Sequence, residues 1–509
     1  MVNKKNRELD RSLKLIIQSS FIVFIGIFLS KILTYAYKII IARSFGAEIY
    51  GIFSIAIMIM GLFFAFSSLG LSEGLLRYIS IYRGKKQINK VKYILRNSLK
   101  SLFFLGSIST IILFFSAKFI SLQIFHEPRL IIFLQVFSFF IPFIIISSAL
   151  MYTLRAFEKI QWYSFLHNIL GNSIKLFILI ILILFGFQTN AIIVSYVFGG
   201  FGVFLAAFFF CKYKIPGIFK KGKINKKTST KIIKNLFSYS WPLMFFAVIM
   251  AVFSWMDSFA IGYFRNATEV GWYNAAVPLA ILFSFVPNLF IQLFFPLINK
   301  AFAKKNFTII KQLSKQIGKW IFIFNLPLIL ILLFFPGAII NVLFGQEYLI
   351  AINALRILSI GSFFYSLSIV SNNILSMIGK SKLILLNIIV AAIVNIGLNI
   401  ILVPMYGLNG AAISTAISFI ILGLLVFFQT KYYTQIVPFR GKIFRIILIS
   451  IIPTLGLIYF KRFILINFFA LIAIGILFML VYVFLILVTG CLDREDLMIL
   501  KSIKNKIIK

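Results

Sequence analysis

The chain has 509 residues, 61% of them hydrophobic, with a mean hydropathy of +1.04 and a formal net charge of +39. That composition leaves no room for a sizeable soluble domain, since a bilayer span needs only about 20 apolar residues. Fifty-one basic against 12 acidic residues would suggest a nucleic-acid partner in a soluble protein, but here the positive charge lies between apolar stretches, which argues against nucleic acid.

Fourteen stretches are predicted as membrane helices: 16–41, 49–71, 98–120, 130–153, 160–186, 190–211, 236–263, 270–298, 318–344, 351–378, 382–404, 408–430, 443–460 and 463–490. The first is too long for a cleavable signal, carries lysines and lacks a small-residue cleavage site. Its Lys31, Thr34, Tyr35 and Lys38 share one helical face. An ionised lysine at mid-bilayer costs about 2.5–3.5 kcal/mol on insertion scales, so Lys31 should face a cavity or a partner. Lys38 lies near enough to the outer end to snorkel. After the second span, Glu73 and Arg77 are four apart and could pair along a helix at the cytoplasmic mouth.

The fifth span carries Asn168, Asn172 and Lys175 at spacings of four and three. Its asparagines could simply hydrogen-bond a neighbouring helix, as could Asn387, Asn395 and Asn399 of the eleventh. Asp257 is the acid that lies inside a span, the seventh. It could pair with a lysine, sit protonated as a structural group, or couple transport to a cation. Asn288 and Gln292, four apart in the eighth span, are further candidates to line a cavity.

The gaps assign the orientation. All but ten of the 51 Lys and Arg fall in the two tails, in the even-numbered gaps or within three residues of those gaps. The positive-inside rule therefore puts both termini in the cytoplasm of a cell-membrane protein. The odd gaps are too short to fold as outer domains, while Lys212–Lys234 and Lys300–Lys319 are expected to be amphipathic or mobile. Cys211 and Cys491 both lie at cytoplasmic helix ends, and no disulfide, metal site or cofactor is expected. Glu48 and Glu269 open two helices at an offset of 221, which hints at an internal repeat. The domain reading is 1–211 for six spans, 212–235 for a basic linker, 236–430 for six more, 431–491 for two extra spans and 492–509 for the tail.

Ser30-Lys31-Ile32-Leu33, Ile41-Ala42-Arg43-Ser44-Phe45-Gly46-Ala47 with Tyr50-Gly51, Val270-Gly271-Trp272-Tyr273-Asn274 and Pro404-Met405-Tyr406-Gly407-Leu408-Asn409-Gly410 occur in order along the chain. In these motifs the chain resembles the polysaccharide-biosynthesis flippases, relatives of the lipid II flippase and of the multidrug and toxin extrusion (MATE) exporters. The resemblance implies an all-α polytopic protein with two six-helix bundles around a central cavity plus two C-terminal helices. It also implies a lipid-linked oligosaccharide as substrate, membrane lipids as surroundings and glycan-assembly enzymes as partners. Lys31 stands where the lipid II flippase carries an arginine, whereas a second family arginine is replaced by Tyr37.

Lys31, Lys38, Arg77 and Lys175 suit an anionic headgroup, because lysine serves phosphate as a mobile point charge. They would repel cations, which disfavours a MATE-type antiporter. No Asp-x-Asp pair or His/Cys cluster supports an enzyme, no repeated filter element supports a channel, and no Walker motif supplies ATP.

Overall fold

The computed structural model describes residues 2–222, 224–438, 442–460 and 468–491, with the side chains of 1–25 and a few others, Gln292 among them, outside the described set. The described residues are helices and short connections, without strands. They divide into two compact units, Met1–Asn274 and Ala275–Lys509.

The first unit holds α1 (Val2–Ser67), α2 (Leu71–Gly84), α3 (Ile88–Phe119), α4 (Leu130–Ser138), α5 (Ile141–Ala156), α6 (Ile160–Ser164), α7 (Gly171–Leu184), α8 (Asn190–Lys214), α9 (Lys226–Phe264) and most of α10 (Ala267–Ile281). A π-helical turn, Phe165–Leu170, joins α6 to α7. The second unit continues through α11 (Phe285–Ala303), α12 (Phe307–Phe334), α13 (Pro336–Leu343), α14 (Ile352–Met377), α15 (Ser381–Tyr406), α16 (Leu408–Thr434), α17 (Lys442–Phe460) and α18 (Phe468–Val488).

Among the described residues, eleven helices are long and apolar enough to cross a membrane, or twelve if α4 and α5, bent by 48°, count as one span. Fourteen were expected. The first two predicted spans are the two limbs of α1, which meet at a kink at Gly46, whose φ of 80° is open to glycine at little cost, and they count once in that total. The last predicted span is α18, 21 residues long, whose side chains are described in full only from Ile472, and it is not among the eleven.

The two long basic gaps also differ from expectation. Helix α8 extends to Lys214 and α9 starts at Lys226, so much of 212–234 prolongs the flanking helices. Between them Ile218 is buried, and a Cβ on Gly222 would meet the Asn89 carbonyl oxygen at 2.2 Å, so this stretch packs on α3. The second gap shrinks to a turn between Ala303 and Phe307, where the Asn306 side chain caps α12 by accepting the Ile309 N–H at 3.1 Å.

Helix contacts are made by small residues and by amides. Where the second limb of α1 meets α10, a Cβ on Gly51 would lie 1.7 Å from the Ala267 carbonyl oxygen, and one on Gly271 would lie 2.0 Å from that of Ala47. Each segment thus presents Ala-x-x-x-Gly to the other, and the Tyr50 hydroxyl donates to the Asn274 carbonyl at 3.0 Å. In the second unit, Asn387 and Gln429 exchange amide hydrogen bonds of 2.7 and 2.8 Å between α15 and α16. Asn395 donates to Thr415 Oγ1 at 3.1 Å, and Asn399 to Asn395 Oδ1 at 3.1 Å. Such bonds hold membrane helices together where no hydrophobic force does.

Candidate functional site

Within the first unit, α1, α5, α7 and α8 enclose a cavity of about 260 Å³. Its polar lining is Ser147, Ser148, His167, Asn172, Lys175 and Tyr196. Lys175 enters from α7 because the four-and-three spacing sets it above Asn172 and Asn168 on one helical face. Opposite, α8 presents Gly199, where a Cβ would fall 2.2 Å from Lys175 Cγ, so the lysine stem lies in space that the missing side chain leaves.

The Lys175 ammonium sits 4.0 Å from the centre of the Tyr196 ring. That ring meets Phe53 edge-on at 5.7 Å and Phe137 at 4.8 Å, which fixes its plane. Among the described residues no carboxylate pairs with Lys175. A ring face steadies a cation through its quadrupole without cancelling the charge. The ammonium keeps its pull on an anion.

Polar contacts run outward from this point. Asn172 Nδ2 donates to Ser30 Oγ at 3.1 Å, tying α7 to α1 one residue from Lys31. The Asn168 amide bonds Ser164 Oγ at 3.2 Å, and His167 lies 3.2 Å from Asn168 Oδ1. His167 stacks on Tyr163 at 5.4 Å, and the Arg155 guanidinium lies 5.3 Å from the Tyr163 ring.

The other sequence candidates are more dispersed. Lys31 is exposed and Lys38 half-buried on α1, neither with a carboxylate partner among the described residues. Arg77 does not pair with Glu73: its guanidinium lies 4.2 Å over the Tyr239 ring. An aromatic face from α9 competes successfully with an i,i+4 pair that is worth only a few tenths of a kcal/mol, roughly. Asp257 accepts a hydrogen bond from the Tyr273 hydroxyl. Asn288 is exposed on α11 in the second unit, and the Gln292 side chain lies outside the described residues.

Sequence reading missed Tyr196, the serines of α5 and the place of His167, which stands alone in the sequence. A Gly199-Gly200 doublet four residues beyond Ser195-Tyr196 was the available signal of close approach opposite Lys175. In the second unit it missed Asn325, whose Nδ2 donates to the Phe283 carbonyl at 3.0 Å and to Ser366 Oγ at 2.8 Å.

Comparison with known proteins agrees with this architecture. An uncharacterized membrane protein of Methanocaldococcus jannaschii is 26% identical over 85% of this chain and 87% of its own length. A Shigella flexneri protein assigned as an O-antigen transporter is 24% identical over 76% of this chain and 90% of its own. The lipid II flippase MurJ, in an inward closed conformation, superposes with a TM-score of 0.71 at 20% identity, covering 91% of this chain and 98% of MurJ. Residues 242–401 match the MatE family, and residues 16–302, more than half of the chain, match the family described as polysaccharide biosynthesis protein. The chain is a member of the polysaccharide biosynthesis protein family and has the fold of the MurJ and MATE transporters.

Proposed function

We propose that this protein is a flippase that carries a polyprenyl-(pyro)phosphate-linked oligosaccharide across the cell membrane by alternating access. The observation that carries the proposal is the Lys175 ammonium, held in a polar cavity by an aromatic ring rather than by an acid. A pyrophosphate offers several anionic oxygens to such a cation, and a hydroxyl-rich glycan suits the serine, asparagine and histidine groups around it. The polyprenyl tail can remain in lipid throughout. Lys31, Lys38 and Arg77 are cations on the same unit that would draw the headgroup in. An exporter of cationic drugs would gain nothing from these charges, and relatives assigned to transport make catalysis the weaker reading.

The basic tails and even gaps support an orientation with both termini in the cytoplasm, where the headgroup is loaded. Asp257, bonded to Tyr273, is a candidate to couple the cycle to an ion gradient. Lys31→Ala and Lys175→Ala should each lower glycan export about 10–100-fold at unchanged membrane abundance, the range for losing a charge-assisted hydrogen bond. Lys31→Arg should keep part of the activity, because charge outweighs shape for a mobile anion. Full export by both alanine variants would rule out their phosphate role.

A further inference from the structure

A second cavity, of about 370 Å³, lies between α3, α5, α8 and the segment that follows α8. Its apolar wall includes Leu99, Phe103, Phe208 and Phe219, with Phe208 stacked on Phe219 at 5.0 Å. Phe103 and Phe208 are 55% and 36% exposed, so the groove opens on the outer face of the helices. Arg96 and Lys100 also line it, both exposed and on successive turns of α3.

The charge around the groove is one-sided. Lys92 and Lys220 converge beside Gly217, where a Cβ would lie 3.8 Å from Lys92 Nζ and 3.6 Å from Lys220 Cδ. Lys92, Arg96 and Lys100 recur every four residues, which places them along one face of α3. No acidic residue occurs between Glu73 and Glu127 or between Glu158 and Asp257, the two stretches that build most of the groove. Among the described residues none of these four cations has a carboxylate partner. An apolar slot facing lipid and rimmed by uncompensated cations needs an occupant that is greasy at one end and anionic at the other.

We propose that this groove binds an anionic phospholipid, with an acyl chain against Leu99 and the phenylalanines and the phosphate on Arg96 and Lys100. Free phosphate would leave the aromatic wall uncovered, and a neutral phospholipid would leave the cations without a counter-charge. The bound lipid holds the segment after α8 against α3, since Phe219 forms part of the slot. The site is distinct from the Lys175 cavity and does not depend on the substrate assigned there.

The test uses the full-length protein in detergent and measures retention of phosphatidylglycerol against phosphatidylcholine by native mass spectrometry. The wild type should retain phosphatidylglycerol preferentially. The R96A/K100A double variant should bind it about 10–30-fold more weakly, with phosphatidylcholine binding unchanged, as expected for removing two interfacial cations. Leu99→Trp, which fills the slot and keeps the charges, should also lose the lipid, and inorganic phosphate should not displace it. Equal retention of both lipids by the wild type would overturn the proposal without any variant. So would wild-type affinity in R96A/K100A, displacement by inorganic phosphate, or preference for polyprenyl phosphate over phosphatidylglycerol.

Discussion

Lys175 shows how a buried charge is kept usable. Ionised at mid-bilayer it costs about 2.5–3.5 kcal/mol on insertion scales, and a desolvated contact with an aromatic face returns about 2 kcal/mol. Tyr196 therefore offsets much of the cost and leaves the charge free to act on an anion. If that is the arrangement, the two residues are energetically coupled. Lys175→Ala, Tyr196→Leu and the double variant, followed by thermal unfolding in detergent, should show a coupling of about 0.5–2 kcal/mol. Additive effects would mean that the ring merely packs beside the lysine. Lys175 was legible in the sequence because apolar residues run on from Leu176 and leave its charge no exit. Tyr196 was not, because a tyrosine in an apolar span looks like core until its neighbour across the helix pair is known.

At the scale of the element, the helices that Glu48 and Glu269 open meet at a close crossing. Glu48 and Glu269, at an offset of 221, were its visible mark, yet the residues that meet, Ala47 with Gly271 and Gly51 with Ala267, repeat at 220. The glutamates, one residue out of that register, bond arginines instead, Glu48 to Arg129 at 3.0 Å and Glu269 to Arg265 at 3.1 Å. A methyl at Gly51 meets backbone, which cannot turn aside, so Gly51→Ala should destabilise the protein by about 1–3 kcal/mol or more. Gly397, inside α15 with nothing within 4 Å of its would-be Cβ, is the control. There Ala should be neutral or stabilising by up to about 1 kcal/mol, through helix propensity alone. Melting temperatures moving in the same direction for both would refute the packing argument. Hydropathy made the helices visible, and the gap read between 41 and 49 contains the kink at Gly46, whereas the folding of the segment before Gly222 onto α3 depends on contacts that no window of sequence contains.

For the whole molecule, charge distribution carries the orientation and chemistry carries the cargo. Single cysteines at Gln188 and Gln346, both exposed, should react with an impermeant thiol reagent in intact cells, and one at exposed Asn225 should not. Labelling at Asn225 would reverse the orientation. The helical fold and the family could both be read from sequence, since apolar length and short ordered motifs persist at low identity. The cavity around Lys175 could not, because four helices far apart in the chain build it. The central claim is that the cargo is a lipid-linked glycan. Its most direct test is purified protein in proteoliposomes containing a polyprenyl-pyrophosphate-linked oligosaccharide, with the glycan that reaches the opposite leaflet captured by an impermeant lectin or glycosidase. Capture should depend on the protein and fall about 10–100-fold with Lys175→Ala. Equal capture from protein-free vesicles, or transport of a cationic dye in place of the glycan lipid, would contradict it.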